Sequence, residues 1–124
     1  MSELEIKNQD FESRVRESFK RQQVMRLIGA RLRSVKSGAV EIVLPFRDDL
    51  TQQHGFVHGG IITTIADGAC SYAAFTLMAE GTEVLSVEFK VNLLRPAKGK
   101  EFIAKARVLI PGKTPMVVKC NCLR

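Results

Sequence analysis

The chain has 124 residues, of which 45% are hydrophobic and 26% charged, and its formal net charge is +6. This length and composition fit a single globular domain, residues 1–124, and exclude both a multidomain protein and a disordered chain. The positive charge favours an anionic ligand without identifying the anion.

The N-terminal segment and the cysteines indicate a cytoplasmic protein. Five acidic side chains occupy the first thirty residues, where a secretory peptide requires an apolar core. Cys70, Cys120 and Cys122 lack the paired spacing of a zinc site and suit a reducing compartment. We therefore interpret the cysteines as packing residues and predict no metal site.

The first part of the chain predicts one helix followed by a β-hairpin. Apolar residues recur every four positions from Phe11 to Phe19, which is typical of an amphipathic helix, here over about residues 8–25. Residues 27–35 are a candidate strand. Apolar side chains occupy every second position from Val40 to Phe46, and a Lys-Ser-Gly turn joins the two segments.

The second part contains one unusually apolar segment between amphipathic strands. Residues 59–79 carry a single formal charge, Asp67, whereas residues 85–93, 102–110 and 116–122 alternate with the period of a strand. The apolar segment is long enough to span a bilayer, but its polar residues and its amphipathic neighbours favour a helix buried within a protein. We predict an α+β fold in which a long central helix is wrapped by a curved antiparallel sheet of five or more strands.

The segment that leads into this helix contains the candidate catalytic groups. The first N–H groups of a helix have no partners within it, so they can bind a carbonyl oxygen that becomes anionic during a reaction. Asp67 lies nine positions after His58 and is either a catalytic base or a carboxylate hydrogen-bonded within the core. His58 either contacts a ligand or satisfies backbone groups in a turn. His54 is either a ligand contact or a solvated side chain.

Together these residues resemble a known family, the hotdog-fold acyl-CoA thioesterases of the phenylacetate-degradation (PaaI-like) type. The similarity covers about residues 20–122. The motif that carries it consists of Gly55, His58-Gly59-Gly60, Asp67, Ser86-Val87-Glu88-Phe89 and Arg95-Pro96. Members of this family usually continue beyond the strand that contains Cys120, so either the domain closes with fewer strands or the polypeptide continues past Arg124.

The resemblance implies a hotdog fold, a homodimer with active sites at its interface, and a further pairing into a dimer of dimers. It also implies the catalytic roles. The Gly59 N–H would bind the thioester oxygen, and Asp67 of the other subunit would act as general base or nucleophile. Ser86 would orient the attacking water. Gln52 stands where the family often has Asn, one methylene shorter, and Gln53 is a possible substitute.

Further residues are candidates for substrate binding. The phosphates of coenzyme A could meet a basic turn, which is otherwise a solvated surface feature. This turn contains Arg95, Lys98 and Lys100. The remaining candidates are His54, Gly55, Phe56, His58 and Gly60. An acyl pocket or, alternatively, the core would contain Phe56, Tyr72, Phe75 and Met78.

The predicted function is hydrolysis of acyl-CoA or aryl-acyl-CoA thioesters to the free acid and coenzyme A. Coenzyme A is part of the substrate, so no cofactor is expected. The alternative is a non-catalytic acyl-CoA binding or sensing module, although binding alone gains little from Asp67 and Ser86 beside the thioester. Scattered basic residues and the absence of Trp disfavour a nucleic-acid partner, and no membrane partner is expected. A hydratase would need an Asp–His pair at a different spacing.

Overall fold

A computed structural model describes residues 10–79, 81, 98–110 and 117–123. Three helices and four strands occupy these ranges, together with a short 3-10 turn, Asp48–Leu50. In chain order they are α1 (Phe11–Arg21), α2 (Gln23–Ile28), β1 (Arg31–Lys36), β2 (Ala39–Pro45), α3 (Gly59–Phe75), β3 (Glu101–Ile110) and β4 (Val117–Leu123). The predicted strand over 85–93 lies outside the described residues. Within them, no helix combines the length and apolar character that crossing a bilayer requires.

The four strands form one antiparallel sheet in the order β1-β2-β3-β4, and α3 packs across β2, β3 and β4. Alternate residues of β2, Val40, Ile42 and Leu44, are fully buried, as the period of two predicts. Ile65 and Ala69 of α3 are likewise fully buried against the sheet. The predicted α+β architecture, with an apolar helix on an antiparallel sheet, is confirmed.

The range of the predicted helix, about residues 8–25, contains two helices in the described part, because the chain leaves helical geometry at Gln22. This residue has φ −79° and ψ 106°, which separates α1 from α2. Its side-chain Nε2 donates to the hydroxyl of the buried Tyr72 at 2.8 Å, and that hydroxyl is also 2.9 Å from Ser18 Oγ. The break therefore lets the junction of two helices satisfy a buried hydroxyl on α3.

The predicted strand over residues 27–35 is wrong at its start, because the chain is still helical up to Ile28. Gly29 then takes φ 80°, a left-handed conformation that glycine adopts without steric cost. The Gly29 and Ala30 N–H groups bond back to the carbonyls of Arg26 and Met25, which is a Schellman ending. Strand β1 can begin only after this helix ending.

Helix α3 begins at the predicted residue but ends at Phe75, before the predicted end at residue 79. Thr76 follows the helix and is fully buried. Its hydroxyl donates to the Ala73 carbonyl at 2.8 Å and accepts from the Gly38 N–H at 2.7 Å. The end of α3 is thus fastened to the turn between β1 and β2.

Candidate active site at the start of helix α3

The segment that leads into α3 is a small closed loop. Thr51 and Val57 form an isolated antiparallel bridge, and the Gln52 N–H donates to the Phe56 carbonyl at 2.9 Å. Gly55 has φ 88°, so the turn at the tip of the loop requires glycine. Because Val57 is buried, this loop fixes the position from which α3 starts.

The side chain of Gln52 holds the loop together from inside. Its Oε1 accepts hydrogen bonds from the His54 N–H at 2.6 Å and the Phe56 N–H at 3.2 Å. The amide oxygen is therefore committed to the backbone, and only the NH₂ group is left to face a ligand. The side chains of Gln53 and His54 are exposed, while Phe56 is half-buried.

His58 caps helix α3. Its own N–H donates to the Leu50 carbonyl at 2.9 Å, and its carbonyl accepts from the Ile61 and Ile62 N–H groups at 2.9 and 3.2 Å. The exposed imidazole turns back on the chain, so that Nδ1 accepts from the Gly60 N–H at 2.9 Å. This geometry matches the second interpretation of His58, a turn residue whose ring satisfies a backbone group.

These contacts leave one open amide at the start of the helix. The first four N–H groups of a helix lack partners inside it, and here they belong to His58, Gly59, Gly60 and Ile61. Leu50, the His58 ring and the His58 carbonyl take three of them. Of these four, the Gly59 N–H is the one for which the described residues provide no acceptor, and Gly59 itself is half-buried. The predicted substrate-binding residue Gly60 has its amide occupied.

Two threonines brace the glycine pair, and sequence reasoning missed this role. Thr63 Oγ1 donates to the Gly59 carbonyl at 2.8 Å, and Thr64 Oγ1 donates to the Gly60 carbonyl at 2.9 Å. The available signal was the spacing, because a Thr hydroxyl in a helix commonly bonds the carbonyl four residues before it. In the peptide between the glycines, Thr63 holds the carbonyl and the His58 ring holds the N–H.

Asp67 lies further along α3 and is half-buried rather than sealed in the core. Thr63, Asp67 and Cys70 follow each other at spacings of four and three and are all partly exposed, so they share one side of the helix. Gly59 and Asp67 are eight residues apart, which corresponds to about 12 Å along the helix axis. Within one chain the two groups are too far apart to contact the same carbonyl.

The predicted phosphate-binding turn is described only in part. Lys98 and Lys100 are exposed, and the Lys100 carbonyl accepts from the Phe46 N–H at 2.8 Å. This bond places the turn beside the chain that continues from β2 towards the loop in front of α3. Ser86 and Arg95, predicted to orient water and to bind phosphate, lie outside the described residues.

Arg47, which sequence reasoning did not single out, fastens the approach to the loop. Its Nε and Nη2 donate to the two carboxylate oxygens of Asp49 at 3.0 and 2.7 Å, and its Nη1 donates to the Leu27 carbonyl at 3.1 Å. The hydrogen bond from Arg47 lowers the pKa of the Asp49 carboxyl. One guanidinium thus joins α2 to the turn that precedes the site.

Two of the residues considered for an acyl pocket belong to the core. Tyr72 and Phe75 are 5% and 6% exposed, and their ring centroids lie 6.4 Å apart at an angle of 80°. The guanidinium of Arg14 lies 5.1 Å from the centroid of Phe75. Met78 is half-buried beyond the end of α3. The core interpretation therefore applies to Tyr72 and Phe75.

The cysteines are dispersed over two elements. Cys70 is half-buried on α3, whereas Cys120 and Cys122 lie on β4 opposite Ala106 and Ala104 of β3. In the part of the chain that the structure describes, no three His, Cys, Asp or Glu side chains come together to hold a metal ion.

Comparison with known proteins assigns the family. Residues 54–123 match the family model described as the thioesterase superfamily. A protein named "Putative esterase SSO1253" from Saccharolobus solfataricus is 32% identical over 106 residues, covering 86% of this chain and 70% of the relative.

Two solved structures show the same architecture. A thioesterase family protein from Silicibacter pomeroyi superposes with a TM-score of 0.89 at 49% identity, over 90% of this chain and 82% of that one. The E. coli PaaI protein from the phenylacetic acid degradation operon shares the fold, with a TM-score of 0.84 at 18% identity over 96% of this chain and 84% of its own. The chain therefore belongs to the thioesterase superfamily and has the hotdog fold.

Proposed function

We propose that this protein hydrolyses acyl-CoA or aryl-acyl-CoA thioesters to the free acid and coenzyme A. The observation that carries the proposal is the Gly59 N–H, which has no acceptor in the described part of the chain while the neighbouring amides are occupied. It lies at the positive end of the α3 dipole. A donor placed there stabilises the negative charge that develops on a thioester oxygen when the carbonyl is attacked.

The site needs two copies of the chain. About 12 Å of helix separate Gly59 from Asp67 within one chain, whereas a catalytic group must lie within about 3 Å of the reacting atoms. Two α3 helices lying side by side in opposite directions would bring Gly59 of one chain to Asp67 of the other. We therefore propose a homodimer with two such sites, paired again into a dimer of dimers.

Asp67 is the second catalytic group, and it acts by one of two routes. As a general base, its carboxylate takes a proton from water while the oxygen attacks the carbonyl carbon. The carbon–sulfur bond then breaks, and the coenzyme A thiolate leaves and takes up a proton. As a nucleophile, the carboxylate displaces the thiolate to form an anhydride, which water hydrolyses to the acid and the free carboxylate. The partly exposed position of Asp67 is compatible with both routes.

Other residues bind and orient the substrate in this proposal. Ser86 orients the water, and the Gln52 NH₂ group is available to donate to water or to the thioester because only its oxygen is committed to the loop. The exposed Lys98 and Lys100, with Arg95, attract the phosphates of coenzyme A. A reducing cytoplasm, where acyl-CoA is made and used, is the proposed compartment.

A panel of acyl-CoA substrates tests the proposal. The purified protein is incubated with short-chain, long-chain and aryl-acyl-CoA thioesters, and released coenzyme A is measured with a thiol-reactive dye. We expect release from at least one class and a loss of about 100-fold or more in Asp67→Asn. Binding without release from any substrate would instead identify an acyl-CoA binding module.

A matched control tests whether the loss in Asp67→Asn depends on the position of this carboxylate or only on the removal of one negative charge. Glu12→Gln makes the same carboxylate-to-amide change on α1, where Glu12 is exposed and pairs with Arg16. It should keep the turnover of the unaltered protein. Equal turnover in Asp67→Asn and Glu12→Gln would remove Asp67 from the mechanism.

A further inference from the structure

We infer that His58 is a positioning residue whose imidazole caps helix α3, closes the Gly60 amide and leaves the Gly59 N–H as the donor for the substrate oxygen. The catalytic consequence of this cap rests on the proposed function, since it concerns the same carbonyl. The cap itself is a property of the folded chain and can be measured without substrate.

The hydrogen bond selects one tautomer of the ring. An amide N–H can only donate, so the Nδ1 atom that accepts it at 2.9 Å carries no proton. The neutral ring then carries its proton on Nε2, away from the helix. A histidine that used Nδ1–H to donate to a ligand would need the opposite tautomer and could not cap Gly60.

Gly60 provides the space in which the ring sits. A Cβ atom at this position would come 3.2 Å from His58 Nδ1 and 3.4 Å from Cε1, so the ring would have to move by a few tenths of an ångström to admit it. The glycine at position 60 therefore lets the ring sit close to the helix. His58 and Gly60 act as one unit, and neither needs to contact the substrate for both to matter.

The cap determines which amide meets the substrate. Without it, the adjacent Gly59 and Gly60 N–H groups would both be open to an oxygen or to water, and the first turn would lose a restraint. Small displacements of a catalytic group have large effects on rate. Removal of the cap is therefore expected to lower kcat more than it raises KM.

Asparagine at position 58 isolates the capping function. Its Oδ1 lies the same number of bonds from Cα as imidazole Nδ1 and accepts from the helix in the same way, but it has no group that corresponds to Nε2–H. We expect His58→Ala to lower kcat about tenfold. We expect His58→Asn to recover kcat to within about threefold of the unaltered protein. A His58→Asn variant as slow as His58→Ala would overturn the inference, because the ring would then act through Nε2.

A second measurement uses no substrate. Nitrogen-15 NMR of the unaltered protein should show His58 with an unprotonated Nδ1 and a protonated Nε2. The Gly60 amide resonance should move in His58→Ala and return towards its original position in His58→Asn. A protonated Nδ1, or a Gly60 amide unaffected by either substitution, would show that the cap is absent.

A double-mutant cycle tests the pairing of the two residues. Gly60→Ala should lower turnover in the unaltered protein because the new Cβ crowds the ring and shifts its hydrogen bond. In the His58→Ala background the same change should have little further effect, since no ring remains to be displaced. Equal effects in both backgrounds would contradict the unit formed by His58 and Gly60. If the unaltered protein releases no coenzyme A from any substrate, both the proposed function and the catalytic role of the cap are wrong. The NMR measurement would still show whether the His58 ring caps helix α3.

Discussion

Gly68 of α3 lies directly against the terminal methyl group of Met25 of α2. A Cβ atom at position 68 would come 2.5 Å from Met25 Cε and 3.3 Å from Ile42 Cδ1. The missing side chain therefore lets α3 approach both α2 and β2 closely. Because Asp67 immediately precedes Gly68, this close contact also fixes the rotation of the helix that keeps Asp67 partly exposed.

Gly68→Ala should destabilise the protein despite the better helix propensity of alanine. Overpacking a close contact costs about 1–3 kcal/mol, and replacing glycine inside a helix gives back up to about 1 kcal/mol. Because the Met25 methyl group is the end of a flexible side chain and can move, a net loss of up to about 2 kcal/mol is expected in the free energy of unfolding, measured with urea. In a Met25→Ala background, where the obstructing methyl group is gone, the loss should shrink or reverse. The same loss in both backgrounds would show that the contact with Met25 is not the cause.

Gly59→Pro should abolish most of the catalysis while preserving the helix. Proline lacks the N–H but is favoured at the first position of a helix. It also requires an extended residue before it, and His58 has φ −59° and ψ 135°. Loss of one oxyanion donor lowers kcat by about 100- to 1000-fold. Gly59→Ala keeps the N–H and should retain far more activity. Similar turnover in the proline and alanine variants would rule out this amide.

Mixing two inactive variants should restore activity if each site uses two chains. A heterodimer of Gly59→Pro and Asp67→Asn chains contains one site with an intact amide and an intact carboxylate, and one site lacking both. After mild denaturation and random reassociation, half of the dimers are heterodimers, and each heterodimer has one intact site of two. About a quarter of all sites are then intact, so about a quarter of the unaltered rate is expected. Each variant refolded alone is the control. No recovery in the mixture would place both groups of a site in one chain.

Thr76→Val should weaken the fold without changing the chemistry. The substitution leaves the Gly38 N–H, which now donates to Thr76 Oγ1 at 2.7 Å, without that acceptor in a buried place. An unsatisfied buried donor costs about 1–3 kcal/mol, measurable as a lower urea midpoint. Thr76→Ser retains the hydroxyl and should recover most of this loss. Turnover per folded molecule should stay constant. A valine variant of unchanged stability would show that the bond contributes nothing.

Local patterns predict the parts of the fold that local interactions determine. The alternation of β2 and the glycine pair that opens α3 are visible in the sequence, and both elements lie where they are expected. The Gly29 helix ending was also a local signal, but Leu27 and its neighbours were interpreted as strand residues. A strand interpretation would place the apolar side chain of Leu27 in the core, whereas this residue is 73% exposed.

The remaining differences depend on partners far away in the chain. The break at Gln22 is stabilised by Tyr72, fifty residues later, and the end of α3 by Gly38, thirty-eight residues earlier. No periodicity within a segment records such contacts. For the same reason the sequence could name Gly59 and Gln52 as candidates, but it could not show that Gly59 has the open amide or that the Gln52 oxygen binds its own loop.

The open amide of Gly59 also determines how the site responds to mutation. A donor that belongs to the main chain is present in every amino acid except proline, so an alanine scan leaves it in place. Alanine substitutions would register at the proposed catalytic side chain of Asp67 and at residues that shape the first turn, such as His58, Thr63 and Gln52, but not at Gly59. An alanine scan would therefore identify the side chains around this site but would not detect the Gly59 N–H.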